Sequence, residues 1–187
     1  MRLFRRPWIW LSRFRKRKGY GVHSPFAYSF IRGVVLETSA YYAYSELAGL
    51  HPWWVRWFRL YPMECRRLLF RLANFAEPKR VALLTDDEVT KQYIRAAVPK
   101  AELATAARKA EFVMVGEEQL KEAEAVAKEM PEEGMLVCEG IHASRRAREI
   151  WRAIQQSPHT GITFDLYTYG VAFFNSKLHK QHYKVNF

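Results

Sequence analysis

The chain has 187 residues, 49% of them apolar, which suits one folded domain with an ordinary core and excludes a disordered polymer. No apolar run reaches the about 18 residues that a membrane span needs, and no signal-peptide pattern opens the chain, so a cytoplasmic protein is expected. The net charge of +11 is uneven: residues 1–80 hold sixteen Lys/Arg against four Asp/Glu, whereas residues 81–187 hold fourteen against fifteen. The basic part points to an anionic partner, either nucleic acid or a membrane surface, the latter giving a peripheral location.

Residues 1–18 place Arg2, Arg5, Arg6, Arg13, Arg15, Lys16, Arg17 and Lys18 among Phe4, Trp8, Leu11 and Phe14, which follow roughly helical spacing. Such a helix lies on an anionic membrane or grips phosphates. The plainer reading packs its apolar face on the domain and leaves the charges solvated. Glycines 19 and 21 then form a turn before a short helix from about Pro25. Ser24 suits the cap of that helix, and His23 reaches a ligand if the segment folds over the sheet. Residues 36–62 read as aromatic and loop-like, with a helix start near Pro52. Trp53, Trp54 and Trp57 there are core or interface residues, or, with Arg56 and Arg59, a base-stacking platform. A basic helical flank over 1–62 and an α/β domain over 63–187 are expected.

Residues 62–78 predict a helix with Leu68, Leu69, Leu72 and Phe75 on one face and Pro78 beyond its end. From Arg80 the pattern alternates. A strand at 80–85 leads into a helix at 87–98, capped by Asp86 or Asp87. A weak strand at 102–106, a strand at 111–116, a helix at 117–130, a strand at 134–140 and a helix at 143–157 follow. Residues 161–175 read as an antiparallel hairpin turning near Tyr167–Gly170, and the chain ends in a last strand. This predicts a mostly parallel sheet covered on both faces. Cys65 and Cys138 sit in apolar runs without metal-ligand spacing and read as buried thiols.

The ends of the strands define the crevice of such a fold. Glu139 and His142, three apart after one strand, suit acid–base work, or else are a loop residue and a helix-start residue. Ser144, Arg145 and Arg146 suit an anion at a helix start, or a solvated helix face.

Three stretches in order carry a resemblance: GYGVHSPFAYSFI at 19–31, CRRLLFRLANFAEPKRV at 65–81, and the tail from Ser157, with Tyr169-Gly170-Val171-Ala172-Phe173-Phe174. Together they resemble class I S-adenosylmethionine-dependent methyltransferases in which an HGxHSPF segment precedes the domain. The resemblance implies a Rossmann-like seven-stranded sheet whose last strand is antiparallel, and S-adenosylmethionine as cofactor in an active member. It also implies an ELGTSLG-like turn after the first strand. Here that turn reads Ala82-Leu83-Leu84-Thr85-Asp86-Asp87-Glu88. Ala82 stands at the carboxylate position, and Leu84 and Glu88 stand at the glycine positions. Within 101–112 no acidic residue directly follows LATAA at 103–107 to hold the ribose, Glu111 coming only at the next strand. Gly116 and the single carboxylate Glu139 stand where related metal-dependent enzymes gather several oxygen ligands, so no metal is expected. The expectation is a shortened methyltransferase-like protein that has lost cofactor and catalysis and acts as a binding or structural partner, alone or as a homodimer. The alternatives are an active methyltransferase with a rearranged cofactor site, and a basic nucleic-acid or membrane-surface protein working through residues 1–18.

Overall fold

A computed structural model of the chain describes residues 24–57, 61–104 and 106–187. Its strands are β1 (Arg80–Leu84), β2 (Glu102–Leu103), β3 (Phe112–Val115), β4 (Met135–Glu139), β5 (Ile162–Asp165), β6 (Tyr169–Phe173) and β7 (Gln181–Lys184). They form one sheet in the order β2-β1-β3-β4-β6-β5-β7. All run parallel except β6, which is antiparallel to both β4 and β5. The Rossmann-like α/β class and the C-terminal hairpin are therefore as expected. The position of the antiparallel strand is corrected: it is the sixth, and the seventh lies parallel to β5, Ile162 facing Gln181. The tight β5–β6 turn reverses the chain once. Residues 174–180 reverse it again onto the one edge of β5 that is still open.

Alternation along each strand divides the core in two, as a period of two requires. Phe112 and Met114 of β3, Met135 and Val137 of β4, and Phe164 of β5 face one layer. Val113 and Val115, Leu136 and Cys138 face the other. Both faces are covered, so these strands read as unbroken apolar runs. The first layer is made by α1 (Pro25–Phe30) with the π-turn Ile31–Val35 that continues it, α2 (Tyr44–Ala48), α4 (Tyr61–Ala76) and α5 (Glu88–Ala97). The short α3 (Trp53–Trp57) lies before α4. The second layer is α6 (Ala123–Glu129) and α7 (Arg145–Gln156). Trp151 of α7 lies so close to β6 that a Cβ on Gly170 would stand 2.7 Å from its ring, which is why glycine occupies that strand position.

Ser24 caps α1, its Oγ accepting from the Ala27 N–H at 3.3 Å. Phe30 then places its ring 4.5 Å from Phe164 and 5.1 Å from Phe173. The guanidinium of buried Arg71 donates to the carbonyls of Val34 at 2.7 Å and Val35 at 3.1 Å, satisfying groups a helix end leaves unpaired. Cys65 and Cys138 are buried and form no disulfide, and burial pushes the Cys138 thiol well up.

Two elements are shorter than predicted. The strand expected at 102–106 pairs only through Glu102 and Leu103, because the chain turns into a 3₁₀ turn at Ala107–Lys109. The helix expected at 117–130 becomes α-helical only at Ala123. Before it, the Gly116 carbonyl accepts from the Gln119 N–H at 3.2 Å, and Leu120–Glu122 wind as 3₁₀. No helix among the described residues is long and apolar enough to cross a membrane.

Candidate functional site

The crevice lies where the parallel strands end: residues 85–87 after β1, 116–119 after β3, 140–144 after β4 and 166–168 after β5. Beyond β1, Asp87 rather than Asp86 is the cap of α5, its carboxylate accepting from the Val89 N–H at 3.1 Å. The same carboxylate accepts from the Thr90 hydroxyl at 2.7 Å and from the Arg66 guanidinium at 2.7 Å. Burial pushes the Asp87 carboxyl up, but the hydrogen bonds from Thr90 and Arg66 and the Arg66 charge outweigh it and hold it below the usual carboxylate range. Asp86 accepts from the Gln119 side-chain amide at 2.9 Å. Glu88 pairs with Lys91 at 3.3 Å and Arg95 at 3.4 Å. All three carboxylates of the turn are thus engaged by the chain itself.

The remaining turn positions point the same way. Ala82 is buried in the second-layer core, and Leu84 packs against it. Thr85 is buried, and its Oγ1 accepts from the Asp87 N–H at 3.2 Å. A Cβ on Gly116 would stand 2.8 Å from that Oγ1, so Thr85 fills the open face of the glycine beside it. One strand further along, a Cβ on Gly140 would stand 2.7 Å from Glu117 Cγ and 2.9 Å from its carboxylate. Gly140 has φ +72°, a conformation that favours glycine, and its N–H donates to the Thr168 carbonyl at 2.8 Å. From β1 to β4, side chains of this chain thus stand against the glycines at the strand ends.

Glu139, at the end of β4, is half-buried. Burial pushes its carboxyl up, the nearby Asp87 and Glu117 add to that, and Arg66 opposes it. No hydrogen bond joins Glu139 to His142. His142 meets Asp165 instead, Nε2 to Oδ2 at 2.9 Å. Asp165 is almost wholly buried, and its other oxygen accepts from the Tyr167 N–H at 2.9 Å. Tyr167 has φ +72°, and its ring stacks on His142 with centroids 5.3 Å apart and planes 16° apart. A buried carboxylate that fixes one edge of an imidazole sets its orientation, an arrangement suited to acid–base work. Sequence reasoning missed Asp165 and Tyr167. The readable signal was one carboxylate inside the short strand-like stretch 162–166, which burial obliges to find a partner.

Ser144 caps α7, its Oγ accepting from the Ala147 N–H at 2.9 Å. Arg145 and Arg146 point outward and pair with Glu149 at 3.2 Å and 3.7 Å, so this helix start is a solvated face. Among the described residues no three His, Cys, Asp or Glu are placed to hold a metal ion. His23, Arg59 and the eight cations of residues 1–18 lie outside the described residues. Trp53, Trp54 and Trp57 are exposed on α3, so the reading of them as core is corrected.

No family model matches the chain, and no curated protein matches it. Among solved structures, a methyltransferase from Geobacter sulfurreducens is similar at 12% identity, over 82% of this chain and 97% of that chain, with a TM-score of 0.43.

Proposed function

We propose that this chain is a methyltransferase-like α/β protein that no longer binds S-adenosylmethionine and serves as a binding or structural partner. The observation that carries this is the filling of the crevice: Thr85 over Gly116, Glu117 over Gly140, and Asp86, Asp87 and Glu88 all held by neighbouring side chains. A cofactor bearing a carboxylate needs open backbone and donors there. The residues present do not fit it. They offer three carboxylates and no glycine in the turn. Thermal unfolding with and without millimolar S-adenosylhomocysteine tests this. Ligand that binds only the native state raises the midpoint. No rise is expected, and a clear rise overturns the reading.

One observation favours a second reading, an active enzyme with a rearranged site. His142, fixed by buried Asp165, stands at the same crevice beyond the filled part. In that reading His142 is the general base. It requires the thermal rise just described, and a His142→Ala variant that folds and binds normally but loses turnover.

A further inference from the structure

We propose that the exposed face of α3, with the groove beside it, docks on an anionic lipid bilayer. The helix is only five residues long, but buried residues anchor it. Val55 is buried beneath it, and His51 just before it is buried and hydrogen-bonded to the Tyr93 hydroxyl at 3.0 Å. The Tyr93 hydroxyl in turn donates to the Leu47 carbonyl at 3.4 Å. The Pro52 carbonyl accepts from the N–H groups of Val55 and Arg56, which starts the helix. What this mounting displays is three indoles: Trp53 is 73% exposed, Trp54 48% and Trp57 78%. Solvent-facing tryptophans fixed on one helix are unusual for a monomer surface and mark a contact surface.

The groove is about 500 Å3 and is lined by Ala48, Trp53, Arg56, Trp57, Met63 and Arg67. Among the described residues its lining is apolar with cations and contains no carboxylate. No acidic residue occurs between Glu46 and Glu64 in the sequence. Indole rings prefer the boundary between lipid chains and headgroups, and arginine beside them meets lipid phosphate and serine carboxylate. The charge argues against two other occupants. Residues 1–23 carry eight Arg/Lys and no acid, so they meet like charge in this groove, and a second copy of α3 does too. A nucleic-acid strand needs a track of available cations. Of the two lining arginines, Arg67 already donates to Glu64 at 2.9 Å and lies over the Tyr44 ring. Both the groove and the cations of residues 1–18 suit one anionic sheet of charge. This inference goes beyond the crevice and holds whether or not that crevice binds cofactor.

The test is sedimentation of the full chain with vesicles of phosphatidylcholine alone and with phosphatidylserine added, beside a polyuridine oligonucleotide binding assay. The variants are Trp53→Ala with Trp57→Ala, the same pair to Phe, and Arg56→Glu. All three positions are exposed, and thermal unfolding verifies the fold. The chain is expected to sediment with the anionic vesicles. The Ala pair should lower its partition roughly tenfold or more, the Phe pair should restore part of it, and Arg56→Glu should weaken the preference for phosphatidylserine, the cations of residues 1–18 keeping the rest. The proposal is overturned if the Ala pair partitions like the parent chain, if the parent ignores anionic vesicles, or if the tryptophans are needed for the oligonucleotide alone.

Discussion

Asp87 shows how one side chain ties a turn together. It caps a helix, accepts from Thr90 and pairs with half-buried Arg66, which uses three of the about four acceptor sites of its carboxylate. Asp87→Ala removes the cap and leaves Arg66 unpaired. It is expected to cost about 1–2 kcal/mol in urea unfolding. Asp86→Ala, which loses only an exposed contact to Gln119, should cost less than about 1 kcal/mol. Equal effects at the two positions would contradict the assignment of the cap. Glu139 gives a prediction of opposite sign. Its folded-state carboxyl is raised above the ordinary 4.5, so the fold favours the protonated form. Its charge therefore weakens the fold as pH rises above 4.5. Glu139→Gln should raise the unfolding midpoint near neutral pH and leave it unchanged at acid pH, which a pair of thermal scans will read.

Among the elements, the contact between the segment before α3 and helix α5 depends on pH. His51 lies against Tyr93 of α5. Burial lowers the imidazole below its ordinary 6.5, Arg66 and Arg67 add to that, and Asp87 opposes it. Burial and Lys180 lower His182 likewise. Unfolding therefore takes up protons just below 6.5, and stability falls as pH drops through that value toward the lowered folded pKa. His51→Gln should flatten, but not abolish, the pH dependence of the unfolding midpoint there, because His182 still contributes. An unchanged slope would place the linkage elsewhere. Legibility also divides by element. β1, β3, β4 and α7 were readable to within a residue or two, because each is an apolar period bounded by a turn or cap. β2 was not, since a strand's length is set by its partner and β1 offers β2 only two pairings. The start of α6 was hidden by the 3₁₀ turn after Gly116. Asp87 was readable as one of two capping candidates, but its partner Arg66, from a different helix, was not. The His142–Asp165 contact joins a loop to a hairpin 23 residues away, and local spacing suggested Glu139 instead.

For the whole molecule, the helical flank and the sheet share one core layer. Phe30 packs on Phe164 and Phe173, and Arg71 closes the end of the flank's π-turn. Phe30→Ala should thus destabilise the sheet itself by about 3–5 kcal/mol, with one unfolding transition followed by far-UV dichroism. Two separate transitions would show the flank to be independent. The sequence also made the charge division and the α/β class legible, because composition and period carry both. It could not show that Thr85 stands against Gly116, because the two meet only once β1 and β3 pair. The proposed loss of cofactor binding is tested most directly by calorimetric titration of the full chain with S-adenosylmethionine and S-adenosylhomocysteine. No binding heat from either is expected at millimolar concentration. Micromolar binding would mean that Thr85, Glu117 and the three carboxylates yield to the ligand, and would contradict the proposal.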